Sequence, residues 1–536
     1  MASSSRRSLY VIVLFLATCG FLGVLFAQKN PSVAPSSDTD VRDSLKSFTQ
    51  VYSIVEENYA EPVDPDKAIY DGAIPGMLHV LDPHSNFFDP KAYSLLKEDQ
   101  RGKYYGVGMQ VGPRNVNNRT VVIVIAPFVG TPAYRAGIHP GDIIAAVDGK
   151  ATDNMTTSNV ADLLKGPKGT TVRITILREG TEKPLEFAVV RDEIPRYSVD
   201  LHFLIQPGIG YMHVSGFNET TETEVQSALD EMGDLKGLIL DLRQNPGGLL
   251  SEGVGVADKF LHKGQLIVSH HGRASSEKRY TATRGNGGKD YPLVVLVNRG
   301  TASAAEIVSG AIQDHDRGLI VGETTFGKGL VQTVYPLSEN TGLALTTAKY
   351  YTPSGRLIQR DYSNVSLYDY YFERDADATT TGREVKLTDS GRTVYGGGGI
   401  TPDVKIPPVK SSHFQDTLLQ HYAFFNFAKH YMVNHHPDEK KFEVDDALLQ
   451  EFRKFLDSES TPYTEADLAQ NDAWVRSNIK SEIFIDAFSQ DEGLKVRAEA
   501  DPEVVKALEL LPQAKALSDH ARSVVAERNS LHSSDQ

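Results

Sequence analysis

Cysteine is almost missing from this chain: among 536 residues there is one, Cys19, near the N-terminus. A disulfide framework and a cysteine-based zinc site are therefore excluded from everything after it. Histidine offers no metal pattern either. His270-His271 and His435-His436 are adjacent pairs whose side chains diverge on a strand, and no His-Glu-x-x-His occurs. No metal and no cofactor are expected. Positive charge is also in short supply. The net charge is −15 and the isoelectric point is about 5.6, which excludes general nucleic-acid binding, a function that needs a basic footprint. Long apolar runs are absent except for Leu9 to Ala27.

That one run follows Arg6-Arg7. As a helix it is about 28 Å long, close to the thickness of a bilayer core. Ala27-Gln28 offers a cleavage site, but Leu25 suits the position three residues before a cut poorly. An uncleaved anchor is the expected reading and a cleaved signal peptide the alternative. Leu16-Ala-Thr-Cys19 is a poor lipidation box because apolar residues continue past it, and Ser5-Arg-Arg-Ser-Leu9 only faintly suggests twin-arginine export. With the positive end retained inside, the remainder is expected outside the cytoplasm, in the periplasm or on the outer face of the membrane.

With 40% hydrophobic residues and 44 glycines, the body has the composition of folded domains with many turns, and its length suits about three of them. Val41, Leu45, Phe48, Val51, Tyr52, Ile54 and Val55 fall on one helical face. Leu81-Asp-Pro-His-Ser85 breaks that period, and Lys91 to Glu98 resumes it. Short strands with one helical turn and one helix (156–165) follow. Their ordered core, Pro132-Ala-Tyr-Arg-Ala-Gly137-Ile-His-Pro-Gly141-Asp142 to Val147-Asp-Gly149, resembles a PDZ domain. Such a domain takes a peptide end as an added strand and holds its carboxylate on backbone N–H groups. Here that loop is Tyr105-Gly106-Val107-Gly108; a closed groove that only packs is the alternative. Lys165 and Lys168 are read as solvated surface residues. From about 195 onward strands and helices alternate, as in an α/β layer fold. The segment after 410 is helical and charged. Phe414 to Leu419 and Val504 to Leu511 are amphipathic, suited to self-association or to packing within the chain.

Two strand-like runs each deliver one reactive residue to a loop of small residues. Pro292-Leu-Val-Val-Leu-Val297 leads to Gly300-Thr-Ala-Ser303-Ala-Ala-Glu306, and Leu319-Ile-Val321 leads to Gly322-Glu-Thr-Thr-Phe-Gly327-Lys328-Gly329. A serine needs an activating base, and a lysine amine serves only when burial keeps it neutral, roughly 3 units below its free value. Ser303 is the candidate nucleophile and Lys328 the candidate base. Gln332, at an even offset along an extended segment, shares a face with Lys328 and can orient the amine without adding charge. The amide of Ala304 and those of Gly247 or Gly248, in the turn Asn245-Pro-Gly-Gly, are candidate oxyanion donors. Simpler readings exist for each. Ser303-x-x-Glu306 is a capping box, Asn-Pro-Gly-Gly is an ordinary tight turn, and Gln332 suits a solvent-facing strand. Gly322-x-x-x-x-Gly327-Lys328 also suggests a phosphate loop, but Gly329 stands where that motif needs Ser or Thr. Asp241, Arg243 and Glu306 are expected to form structural pairs that hold the loops.

In order along the chain, Asp82-Pro-His-Ser85, Tyr105-Gly-Val-Gly108, the PDZ core, Asp241-Leu-Arg-Gln-Asn245-Pro-Gly-Gly248, the Ser303 and Lys328 loops, Tyr351-Thr-Pro-Ser-Gly355 and Gly399-Ile-Thr-Pro-Asp403 together resemble the carboxyl-terminal processing peptidases. These are serine proteases with a Ser-Lys dyad and an inserted PDZ domain. The resemblance covers about 41–408. It implies a multidomain α/β (α+β) fold with a crotonase-like protease core. The expected divisions are 1–27 signal peptide or anchor, 28–40 linker, 41–102 N-terminal helical region, 103–192 PDZ domain, 193–409 core and 410–536 helical region. It also implies that Ser303, Lys328 and Gln332 act in catalysis, and that exported proteins are cut near their C-termini. Protein substrates bound by their C-terminal residues are the implied partners; a homo-oligomer is the expectation only of the amphipathic helical ends, not of the resemblance. A non-catalytic PDZ adaptor that binds C-termini is the alternative.

Overall fold

The computed structural model describes residues 38–116, 119–363, 365–372, 382–437 and 442–534. The expected leader and most of the expected linker lie outside these. Residues up to Met77 form one unit and Leu78 onward another. In the first, the helix Asp38–Asn58 carries Val41, Leu45, Phe48, Val51, Ile54 and Val55 exposed along it, and a π-helical turn spans Lys67–Ala73. Among the described residues no helix is long and apolar enough to cross a membrane, and no group of three His, Cys, Asp or Glu could hold a metal ion.

The second unit is organised around a six-stranded sheet. Its order is Val199–Gln206, Ile209–Val214, Gly237–Asp241, Leu293–Val297, Leu319–Gly322 and Val404–Lys405. The first pair is antiparallel and the rest are parallel. Gly237–Asp241 and Leu293–Val297 are buried at every residue, as central parallel strands covered on both faces must be. One face packs on the helices Thr221–Met232, Leu250–Asp258 and Ala304–Asp314. The other is covered by the helix Pro502–Ser534, whose Val504, Ala507, Leu510, Leu511 and Ala514 meet Ile239, Val294, Leu296 and Val321. The amphipathic stretch at Val504 to Leu511 therefore packs within the chain.

Parallel strands end with their C-termini at one edge, so the turns after Asp241, Val297 and Gly322 emerge together. A second, antiparallel sheet includes Asn86–Phe88, Leu266–Gly272, Ser275–Thr281, Leu330–Pro336 and Gly342–Tyr351. It brings Gln332 and the Asp82–Ser85 segment to the same edge. Two strands beginning at Val199 and Ser275 were not anticipated from the sequence. Their polar residues face out, and neighbouring strands, not their own composition, fix them.

The PDZ strands Met109–Val116, Arg119–Pro127, Ile143–Val147, Thr171–Leu177 and Leu185–Val190 form a separate sheet, with the helix Thr157–Leu164 packed on it. Residues from Phe414 to Val496 build a further helical core of their own. In the core, Tyr351-Thr-Pro-Ser-Gly355 is anchored through the residue that follows it and through Ser354. The fully buried Arg356 donates to Asp314 at 2.7 Å, to Gln313 at 2.8 Å and to the Tyr395 carbonyl, and Asp314 also accepts from the Ser354 amide. Replacing Arg356 with Leu leaves the Asp314 carboxylate buried without its cation. Urea unfolding of that variant is expected to fall by about 3–5 kcal/mol, the typical cost of breaking a buried pair on one side.

Candidate active site

Ser303 terminates the loop from Leu293–Val297 and opens the helix Ala304–Asp314. The Glu306 carboxylate returns to the Ser303 amide at 2.9 Å, so the capping-box arrangement is present. A cap alone does not account for the backbone. Ser303 has φ +53° and ψ −116°, a conformation an L-residue adopts at a cost, whereas N-caps are ordinarily extended. A sharp turn of this kind lifts a side chain above a strand end, as at a nucleophile elbow.

Glu306 does more than close the cap. It is fully buried, and its carboxylate accepts from the Thr325 hydroxyl and from the amides of Gly327, at 2.7 Å, and Lys328, at 2.8 Å. One oxygen, Oε2, receives both the Ser303 and the Lys328 N–H. The Tyr350 hydroxyl touches the carbonyls of the same two residues, Ser303 at 3.1 Å and Lys328 more closely. Glu306 thus holds the two loops, as expected, but by their backbone amides and the Thr325 hydroxyl and not by a charged partner. Asp241 and Arg243 do pair with each other, and Arg243 also reaches Asp501 at 2.9 Å and Glu503 at 2.8 Å. The same geometry removes the phosphate-loop reading. The amides of Gly327 and Lys328 point at Glu306, and a strand, not a helix, follows at Leu330–Pro336.

Lys328 Nζ donates to Gln332 Oε1 at 3.0 Å, and Gln332 Nε2 donates to the His84 carbonyl. That second bond fixes which end of the amide faces the lysine. Burial holds the Lys328 amine below the ordinary lysine range, while Asp82 and then Glu306 pull the other way. His84, from Asp82-Pro-His-Ser85, is a site residue the sequence reading gave no role. Its imidazole is brought down to about 4, first by burial and then by Lys328, so it sits neutral beside the amine. Asp82 turns the segment by accepting from the amides of His84 and Ser85, both at 2.8 Å. The rings of His84, Phe326, Tyr370 and Tyr371 meet edge to face or tilted at 5.2–6.3 Å and form an aromatic cluster around the His84 imidazole. The Asp-Pro turn signal, and the place of Asp82-Pro-His-Ser85 among the motifs of the family resemblance, were the signals that pointed to this segment.

The Asn245-Pro-Gly-Gly turn lies against Ser303. A Cβ on Gly247 would sit 2.6 Å from Ser303 Cβ and 2.9 Å from the Ala304 nitrogen. Gly247 donates its N–H to Asn245 Oδ1 at 2.8 Å. The N–H groups of Gly248 and Ala304 have no acceptor among the described residues. Gly248 (φ +145°) cannot carry a side chain, since a Cβ would lie 2.1 Å from the Phe217 carbonyl oxygen.

In the PDZ domain, the amides of Val107 and Gly108 likewise have no acceptor among the described residues. Gly108 has φ +79°, and a Cβ there would strike Thr131. Tyr105 and Gly106 belong to the strand Lys103–Gly106, which pairs with Asp192–Pro195. A groove beside this loop is lined by Tyr104, Val107, Met109, Ala161, Leu164 and Lys165. Lys165 is not simply solvated. It pairs with Glu98 at 2.7 Å and lies 5.1 Å from the Tyr104 ring centre. Lys168 pairs with Asp192 at the surface.

Comparison with known proteins agrees with this architecture. Residues 208–365 match peptidase family S41, residues 124–178 a PDZ domain, and residues 414–466 the C-terminal helical domain of a probable PDZ-protease. Residues 21–92 match the N-terminal domain of the activating protease CtpB. A carboxy-terminal-processing protease of Bartonella bacilliformis is 37% identical over 353 residues, 65% of this chain and 80% of the relative. The carboxyl-terminal-processing protease of Synechocystis sp. is 41% identical over 295 residues, 54% of this chain and 68% of the relative. The carboxy-terminal processing protease CtpA of Bacillus subtilis is 34% identical over 359 residues, 66% and 75% of the two chains. With four fifths of the first relative's length spanned at this identity, the chain belongs to the carboxy-terminal processing proteases of peptidase family S41, serine proteases that carry a PDZ domain.

Proposed function

We propose that this enzyme cuts exported proteins near their C-termini with Ser303 as nucleophile and Lys328 as general base, and that its PDZ domain receives the substrate's C-terminal carboxylate on the amides of Val107 and Gly108. The observation that carries the reading is the pairing of Ser303 and Lys328 on one buried oxygen of Glu306, with the lysine amine kept low by burial and aimed by Gln332.

The chemistry then follows from charge. The neutral Lys328 amine takes the hydroxyl proton as Ser303 Oγ attacks the scissile carbonyl carbon. The oxygen that becomes negative is met by the N–H groups of Gly248 and Ala304, the latter at the positive end of the helix Ala304–Asp314. The Lys328 ammonium returns the proton to the departing amine, the C–N bond breaks, and an acyl-serine remains. Water attacks that ester with the same amine as base, releasing the carboxylate product and restoring Ser303. Gln332 stays neutral throughout and so never competes for the proton. Export of the substrates is part of the proposal, motivated by the basic residues and apolar run at the N-terminus.

Ser303→Ala and Lys328→Ala should each lower the rate of cleavage of an unstructured, tailed protein substrate at least about a thousandfold, as loss of a nucleophile or base typically does, with an unchanged unfolding curve. Full activity in either variant excludes the dyad. Because the base acts deprotonated and burial lowers its pKa, kcat/KM should rise with pH as the Lys328 proton leaves, and reach a plateau below the ordinary lysine range. Gln332→Glu places a carboxylate against the amine and favours its charged form. The rising limb of the pH profile should therefore move to higher pH, and an unmoved limb would mean that Gln332 does not face the base. Glu306→Gln turns two of its accepted hydrogen bonds into donor–donor contacts. It should cost about 2–6 kcal/mol in urea unfolding, at about 1–3 kcal/mol for each of the two buried groups left unpaired.

A further inference from the structure

His84 meets the base by its carbonyl, which accepts from Gln332, but its imidazole is engaged as well. Nε2 lies 3.1 Å from the Tyr370 hydroxyl, and Nδ1 lies 3.3 Å from that of Tyr371. The other partners of those hydroxyls fix the direction of each bond. Tyr371 gives its proton to the Pro83 carbonyl at 2.8 Å, so its oxygen accepts and Nδ1 carries the imidazole N–H. Nε2 is then the acceptor, and Tyr370 donates to it. The Tyr370 oxygen in turn accepts from Gln359 Nε2 at 3.1 Å, which also donates to the Arg360 carbonyl at 2.7 Å. Gln359 Oε1 accepts the Gly329 N–H at 2.8 Å. No donor faces a donor along this path.

The path closes on itself. From Lys328 Nζ it runs to Gln332, to the carbonyl and ring of His84, to Tyr370, to Gln359, and back to the amide of Gly329, the residue bonded to Lys328. The base is held at its tip by Gln332 and at its backbone by Gln359. Tyr370, which joins the two arms, is buried. It stands on the short helix Leu367–Tyr371, capped by Ser366. The Arg360 guanidinium carbon lies 4.3 Å from its ring centre, and Arg360 donates to its carbonyl. A neutral imidazole suits the junction because it offers one donor and one acceptor on a rigid ring. Lys328, Asp82 and Arg360 are the charged groups that act on that ring, and burial keeps it neutral and both phenols protonated.

We infer that His84 is a positioning residue for the general base: the closed hydrogen-bonded circuit through Tyr370 and Gln359 holds the His84 carbonyl, and through it the Gln332 amide, in the orientation that aims the Lys328 amine. This rests on Lys328 being the base, as proposed above. His84 takes no proton in the reaction and acts only through Gln332. Each member of the circuit is held by two neighbours, so loss of one hydroxyl loosens both arms.

The test uses the full chain and an unstructured, tailed protein substrate. Tyr370→Phe removes one hydroxyl and keeps the ring in the aromatic cluster. It should lower kcat about tenfold to a hundredfold, as misplacement of a reacting group does. KM should change less than about twofold, because Tyr370 is buried and the lost interaction is not one that binds substrate. His84→Phe opens the same circuit. It should lower kcat to a similar extent, and the two substitutions together should cost little more than either alone. In a Gln332→Ala enzyme, Tyr370→Phe should lower kcat less than about twofold, since the amine has already lost its guide. Single variants with kcat within about twofold of the unaltered enzyme overturn the inference, on the same scale of misplacement. A loss that is as large without Gln332 as with it also overturns it, because the hydroxyl then acts through general stability. A raised KM with kcat preserved overturns it in favour of substrate binding. Lys328→Ala, measured alongside, separates the two levels. An inactive Lys328→Ala beside an unaffected Tyr370→Phe removes the circuit and leaves the dyad standing, whereas a Lys328→Ala enzyme that still cleaves removes the base and the role of the circuit with it. The kcat and KM of the single variants decide the question even if the Gln332→Ala enzyme is too slow to measure.

Discussion

The buried carboxylate of Glu306 is the interaction on which the site depends. It gathers donors from the Ser303 loop and the Lys328 loop, segments that sequence separates and only the sheet edge brings together. Burial holds its own carboxyl above the usual range, and the hydrogen bonds from Thr325, Lys328, Gly327 and Ser303 oppose that rise without cancelling it. The arrangement carries a chemical cost. A negative group near Lys328 favours the ammonium, which is the wrong form for a base. Burial nevertheless outweighs Asp82 and Glu306 together, and the amine remains below its usual range. Position is therefore secured by a carboxyl whose pull toward the ammonium the burial of the Lys328 amine more than offsets.

That edge exists only because both faces of the parallel sheet are covered. The inner helices supply one layer. The other comes from the far C-terminal helix, whose Val504, Ala507 and Leu511 pack on Ile239, Val294 and Val321. Arg243 ties this helix to the Asn245-Pro-Gly-Gly turn, binding Asp241 on one side and Asp501 and Glu503 on the other, one residue before Gln244-Asn245. A cluster of one cation with three carboxylates at low exposure is only tolerable when every oxygen is hydrogen-bonded, and the Asp241 carboxylate also accepts from the Tyr211 hydroxyl at 2.8 Å. The C-terminal region is thus part of the protease core as well as a neighbour of the PDZ domain.

Much of this was readable in the chain. The runs ending at Val297 and Val321 are buried strands, and their apolar composition followed by small residues announced both the layer fold and the Ser303 and Lys328 loops. The even offset to Gln332 placed it correctly on the face of Lys328, where the two bond, because period-two alternation is local geometry. The misses share one cause. Glu306 reads as a cap from sequence, since its bonds to Gly327 and Lys328 cross some twenty residues. His84 and Tyr350 reach the site through pairing between Asn86–Phe88 and Gly342–Tyr351, a register that no local pattern encodes. Lys165 looked like a solvated lysine because its partner, Glu98, lies on another element.

The two loops proposed to meet a negative oxygen are built alike and joined through a short neck. Val107 and Gly108 in the PDZ domain, and Gly248 and Ala304 in the core, offer backbone N–H groups held open by turns that side chains would block. The PDZ domain enters and leaves through one paired ribbon, Lys103–Gly106 with Asp192–Pro195. At its base, Arg196 donates to the Gly102 carbonyl, Asn218 donates to the Arg196 carbonyl, and a Cβ on Gly102 would collide with Asn218. The preceding residue, Phe217, bonds the Asn245-Pro-Gly-Gly turn directly, donating to the Gly247 carbonyl at 3.0 Å and accepting from the Leu249 amide at 2.8 Å. The neck that carries the carboxylate loop and the turn that carries Gly248 therefore share two adjacent residues. Because close-packed backbone with a fixed register does not deform gradually, any displacement of the ribbon that breaks the Asn218 contacts must also disturb the backbone that frames Gly248.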